Sequence, residues 1–161
     1  MNRPHKIVPL SDLDSIQIDS SKKIVLAGGC FDILHFGHVQ FIKHARLAGD
    51  VLILLLESNE FIELTKKKLP VHTQQQRAEV LAALEYVDYI VLLPLLKNPD
   101  KEYEIIVSAI KPSVIAYSEG DSQEAQKKKF AELVSAKTVV IPLLSSFSSS
   151  TLITYAPIFR N

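Results

Sequence analysis

Apolar positions along this chain follow two different periods. Ile24–Ala27 is a short apolar run closed by Gly28 and Gly29, and Val51–Leu56 is apolar at every position. A run with no polar face is the pattern of a strand covered on both sides. Tyr89–Leu93, Val114–Tyr117 and Thr138–Ile141 read as further strands. Between these runs the period lengthens. Residues 39–48 carry Val39, Ile42, Ala45 and Leu47 at roughly helical spacing, and Gly49 follows as a C-terminal cap would. Residues 75–85 are rich in helix formers, 102–110 stop at Lys111-Pro112, and 122–135 form a further helical stretch. A last short helix is expected over 149–155. Residues 1–20 read as a lead-in segment with one short helix.

The order β-α-β-α-β-α-β-α-β predicts an α/β fold in three layers: a mostly parallel, five-stranded sheet with helices on both faces. Right-handed crossovers leave few topologies. Ligands in such sheets bind beyond the carboxyl ends of the strands, where the strand order reverses. The first predicted strand ends at Gly28, so the residues after it occupy that place.

The chain of 161 residues is expected to form a single domain over 1–161. Its 18 basic and 18 acidic side chains cancel. That balance argues against a general nucleic-acid or membrane-surface binder, but not against a small anionic ligand held in a local positive pocket. The one cysteine, Cys30, has no internal partner for a disulfide, which fits a reducing, cytoplasmic setting. No apolar run is long enough to span a bilayer, and the N-terminal residues lack the apolar core of a secretory signal.

Residues 28–38 read GGCFDILHFGH and concentrate three of the five glycines with two of the five histidines. Gly28 and Gly29 let backbone turn sharply and approach a ligand. Gly37 opens a helix, whose free N–H groups and dipole favour phosphate. His35 and His38 flank that point as an H-x-G-H motif and can donate hydrogen bonds to phosphate oxygens. Two imidazoles aimed at one phosphate stabilise charge developing there. The spacing of the other histidines does not complete the three or four ligands of a zinc site.

The stretch 28–50 resembles the signature of the HIGH-type, cytidylyltransferase-like nucleotidyltransferases. Within that superfamily it is most similar to the adenylyltransferase domain of the bifunctional heptose-phosphate enzymes of lipopolysaccharide core synthesis, with glycerol-3-phosphate cytidylyltransferase a near second. Residues 69–91 (LPVHTQQQRAEVLAALEYVDYIV) are similar to a second segment of the family, and 145–153 (SSFSSSTLI) to a third. The three lie in register and in order over roughly residues 22–155.

The resemblance implies a Rossmann-like fold and transfer of a nucleotidyl group from ATP or CTP, accompanied by Mg2+, to a phosphorylated sugar or polyol, with release of pyrophosphate. It implies that His35 and His38 hold the triphosphate, and that Arg77 and one of Lys66–Lys68, with Lys67 at the centre of the run, neutralise the β- and γ-phosphates. Ser149, Ser150 and Thr151 would offer hydroxyls to the phosphates, and backbone at Gly28, Gly29, Cys30 and Phe31 would pack on the nucleoside. Asp32, with Gly120 and Asp121, would lie near the acceptor or the metal. A homodimer is also implied.

Two segments depart from the family pattern. Where the heptose-type enzymes carry a lysine before Gly-Gly-Asp, this chain reads AYSEGDS over 116–122, with Tyr117 or Ser118 in the lysine's place. Where the family often has Asn-Ser-Asp, the chain has Glu57-Ser58-Asn59. Transfer of AMP to a heptose phosphate is the first expectation. Cytidylyl transfer from CTP to glycerol 3-phosphate or another polyol phosphate is the alternative, and a non-catalytic nucleotide-binding module is the alternative of another class.

Overall fold

A computed structural model describes residues 6–143 of the chain. It contains one sheet of β1 (Ile7–Pro9), β2 (Ile24–Gly29), β3 (Val51–Leu56), β4 (Tyr89–Leu92), β5 (Val114–Ser118) and β6 (Lys137–Ile141). The strand order is β1-β4-β3-β2-β5-β6, and every pairing is parallel. The helices are α1 (Phe36–Leu47), α2 (Asn59–Lys66), α3 (Gln74–Ala82), α4 (Pro99–Ile110) and α5 (Glu124–Leu133).

The three-layer α/β expectation holds, with six strands in place of five. The extra strand comes from the lead-in: Ile7–Pro9 pairs with Ile90–Leu92 at the sheet edge. Three residues are too few to show a period, and Pro9, which has no N–H, is tolerated because the strand is an edge. The short helix expected nearby is a 3-10 turn over Leu10–Ser15. A second addition is α2. It starts where the Ser58 side chain accepts from the Phe61 N–H at 3.1 Å, and it ends at Lys67, whose φ of 51° is left-handed. The expected final helix over 149–155 lies outside the described residues.

Strand alternation divides the core in two. Val25, Ala27, Leu52, Leu54 and Ile90 meet Ile42 and Ala45 of α1 and Ala78 and Leu81 of α3. Leu26, Ile53, Leu55, Val91 and Ile115 meet Ile106 and Val107 of α4 and Phe130 of α5 on the other face. This explains the unbroken apolar run of β3, which is buried on both sides. Behind α1 the chain passes so close to β2 that a Cβ on Gly49 would stand 2.7 Å from the Lys23 carbonyl oxygen.

The chain builds β2, β3 and β4 outward in one direction, then places β5 and β6 on the opposite side of β2. The reversal opens a crevice between the C-terminal ends of β2 and β5. Nearby strand ends are tied by Gln74, whose Nε2 donates to the carbonyls of Leu56 at 2.9 Å and Leu93 at 2.8 Å. Among the described residues no helix is long and apolar enough to cross a membrane.

Candidate active site

The crevice holds a cleft of about 340 Å³. Its floor is Gly28 to Asp32, its α1 side is His35, Gly37, His38 and Phe41, and Lys66 and Lys68 face it from the segment after β3. Tyr117, Ser118 and Asp121 close the β5 side.

His35 is the N-cap of α1. Its Nδ1 accepts from the His38 backbone N–H at 3.4 Å, a long bond that puts the ring proton on Nε2. The two imidazoles stack, with centroids 3.8 Å apart and planes 23° from parallel. Burial lowers both pKa values, that of His38 to about 4, and the neighbouring His35 pushes His38 in the same direction. Both shifts favour the neutral rings, His38 most strongly, and neutral rings serve as N–H donors.

Phe31 shapes the turn beneath them. It is buried, its φ is 45°, and its ring meets His38 edge-on at 5.2 Å. A left-handed aromatic residue is strained, by about 1–3 kcal/mol. Gly29 makes room for it, since a Cβ there would come within 3.1 Å of the Phe31 ring. The Cys30 thiol has its pKa raised, chiefly by burial, which favours the protonated thiol.

Two residues expected at the phosphates occupy other places. Arg77 is 1% exposed and does not line the cleft. Its guanidinium donates to the Cys30 carbonyl at 2.6 Å, the His72 carbonyl at 3.2 Å and Asn59 Oδ1 at 2.8 Å. Every donor direction so used is turned into the protein, because α3 packs its first turns against the glycine turn. Lys67 is also off the lining. It closes α2 in the left-handed conformation, which leaves Lys66 and Lys68 facing the cleft. Asp32 does line the cleft, but its Oδ1 accepts from the backbone N–H groups of Val71 at 2.8 Å and His72 at 3.2 Å. It and Arg77 together brace the loop that follows the lysines.

Gly120 has a φ of 73° in the turn after β5. Asp121 beside it is paired with Lys127 at 2.5 Å. Ser149, Ser150 and Thr151 lie outside the described residues. Among the described residues no cluster of three His, Cys, Asp or Glu side chains could hold a metal ion.

A second cleft, of about 670 Å³, opens on the other face of the sheet, between α2, α4 and α5. Glu57, at the end of β3, and Tyr103 of α4 line it, and the Tyr103 hydroxyl donates to Glu57 Oε1 in a short hydrogen bond. The two clefts share Gly28, Gly29, Cys30, Lys66 and Asp121. Lys66 is thus the one side-chain cation common to both among the described residues. The sequence marks Glu57 as a departure from the family pattern and gives Tyr103 no distinguishing signal. The available signal was an acid placed directly after a fully buried strand, at the end of the sheet where ligands bind.

Comparison with known proteins agrees with this geometry. The family model described as cytidylyltransferase-like matches residues 26–154. Bifunctional protein HldE of Helicobacter hepaticus is 38% identical over 152 residues, 92% of this chain and 30% of that protein. HldE of Campylobacter jejuni subsp. jejuni is 35% identical over 149 residues, 92% of this chain and 31% of that protein. The chain thus spans about a third of the length of these curated relatives. Two solved structures share the fold. One is a lipopolysaccharide core biosynthesis protein from Thermoplasma volcanium, with a TM-score of 0.60 and 22% identity over 76% of this chain and 96% of the other. The second is a pantoate-beta-alanine ligase from Francisella tularensis, with a TM-score of 0.63 and 17% identity over 91% of this chain and 76% of the other. With histidines, glycine turn and helix N-terminus assembled at the strand-order reversal, and the family match running over most of its length, the chain belongs to the cytidylyltransferase-like family.

Proposed function

We propose that this protein transfers AMP from MgATP to the phosphate of a phosphorylated sugar, of the heptose phosphate class, and releases pyrophosphate. The observation that carries the reading is the stacked His35–His38 pair at the α1 N-terminus, facing Lys66 and Lys68 across a cleft floored by bare glycine backbone. The HldE relatives support the heptose phosphate as acceptor. The likeness of residues 28–50 and of the Gln-Gln-Arg segment to heptose-phosphate adenylyltransferases supports ATP as donor.

The triphosphate lies over the α1 N-terminus, where the backbone N–H of Gly37 and the Nε2–H of His35 donate to its oxygens. An oxygen of the acceptor phosphate attacks the α-phosphorus. The bond from that phosphorus to the bridging oxygen breaks, and pyrophosphate leaves with the bond's electron pair. The acceptor phosphate is ionised at neutral pH, so no protein base has to remove a proton. Both reacting groups are anionic. Lys66, at the junction of the clefts, offsets their repulsion, and Lys68 and His38 offset charge on the leaving group. Asp32 and Asp121 are already engaged by protein groups and build no carboxylate cage. Mg2+, if required, would be supplied with the nucleotide, where it would neutralise phosphate charge.

Pyrophosphate release, followed with MgATP and MgCTP in parallel against heptose 1-phosphate and glycerol 3-phosphate, tests the reading. Release that requires ATP and heptose 1-phosphate together is the expected result. Release with CTP and glycerol 3-phosphate alone, or none with any pair, rejects it. The His38→Ala variant is expected to lose turnover on the order of a hundredfold while remaining folded.

A further inference from the structure

Glu57 has no role in handling the triphosphate, yet it is a carboxylate 8% exposed on the wall of the larger cleft. Tyr103 engages one of its oxygens, and no hydrogen bond within the described residues engages the other. A buried carboxylate in this state gains from any donor a ligand brings, and it penalises a ligand that brings none. We infer that Glu57, held in orientation by Tyr103, is the specificity-determining residue of the acceptor cleft, and that it reads hydroxyl groups of a polyhydroxylated phosphate. The inference rests on the nucleotidyl-transfer reading above for the word acceptor, and on the geometry of the cleft for the chemistry.

Two observations favour a hydroxylated phosphate as the ligand. Lys66 lines the same cleft and makes no ion pair among the described residues, so it is open to a phosphate. The rest of the wall offers apolar side chains such as Phe61, Leu55 and Val107, which suit the C–H face of a sugar whose hydroxyl edge meets Glu57. An acceptor lying this way keeps its phosphate at Lys66 and the glycine turn, where the clefts join.

Calorimetric titration of heptose 1-phosphate into the full chain tests this directly, with Glu57→Gln and Tyr103→Phe beside the wild type. The wild type is expected to bind, Glu57→Gln to bind at least tenfold more weakly, and Tyr103→Phe to lose a few-fold. ATP affinity is expected to stay within twofold in both variants, a selectivity that a merely structural role would not produce. In a series of monodeoxy sugar phosphates, the analogue lacking the hydroxyl read by Glu57 is expected to bind wild type and Glu57→Gln alike. Equal binding of heptose 1-phosphate by wild type and Glu57→Gln overturns the assignment. So does wild-type binding of ethanolamine phosphate in preference to any sugar or polyol phosphate, or no sugar phosphate binding at all. Binding that discriminates as expected, with no pyrophosphate release, would instead remove the transfer reading and leave this one standing.

Discussion

At the scale of single residues, the site is a set of neutral donors and lysines held by buried braces. His38 sets a pH dependence of stability. Its folded pKa of about 4 lies below the ordinary 6.5. An unfolded chain takes up a proton as pH falls through 6.5, and the folded protein refuses it until about 4. The stability that neutral His38 contributes is therefore complete above 6.5, declines between 6.5 and 4, and is lost below, by at most about 3 kcal/mol. Urea unfolding at pH 7 and pH 4.5 checks this, and His38→Asn should flatten the difference. Arg77 gives a second expectation. Arg77→Met leaves two half-buried carbonyls and an amide without their donor and should cost about 2–4 kcal/mol, with Arg77→Lys recovering only part. The loop behind Lys66 and Lys68 should loosen with it. The histidines were legible in the sequence because glycines and a helix start surround them. Which of three consecutive lysines faces the cleft was not, because it depends on where α2 ends and on the left-handed turn at Lys67. The role of Arg77 was not legible for a similar reason: its three acceptors lie 5, 47 and 18 residues away in sequence.

At the scale of elements, strands covered by helices announce themselves as apolar runs, and β2 to β5 were readable for that reason, whereas β6, an edge strand with most residues exposed, shows only a short β-branched run. The elements that were missed are those whose stability comes from their neighbours. β1 is three residues long and exists through its pairing with β4, and α2 has eight residues and depends on the Ser58 cap and on burial of Ile62. Tight joints between elements are equally invisible in a linear reading. Gly49 follows the C-cap of α1, where its N–H donates to the Arg46 carbonyl at 3.3 Å, and it also permits a close contact that the sequence does not show. In Gly49→Ala the new methyl would meet both the Lys23 carbonyl oxygen and Val25 Cγ2 at 2.7 Å. The α1–β3 connection would have to shift, which should lower stability by about 1–3 kcal/mol in denaturant unfolding, while the nucleotide affinity of the folded fraction stays unchanged.

At the scale of the whole molecule, we propose the homodimer that the family resemblance implies, and light scattering should return twice the 18.0 kDa of the chain. A further expectation separates two neighbouring lysines. Lys66→Ala should lower kcat/KM by about a hundredfold, whereas Lys67→Ala should change it less than threefold, since only the first reaches both clefts. The shared floor of Gly28 to Cys30 has a consequence for how such an enzyme diversifies. Because a strip of backbone separates the two chambers, side chains on the α4 and α5 side can be exchanged without disturbing the imidazoles on the α1 side. On the proposed reading, the acceptor could be changed one wall at a time while the imidazoles proposed to hold the triphosphate stay in place.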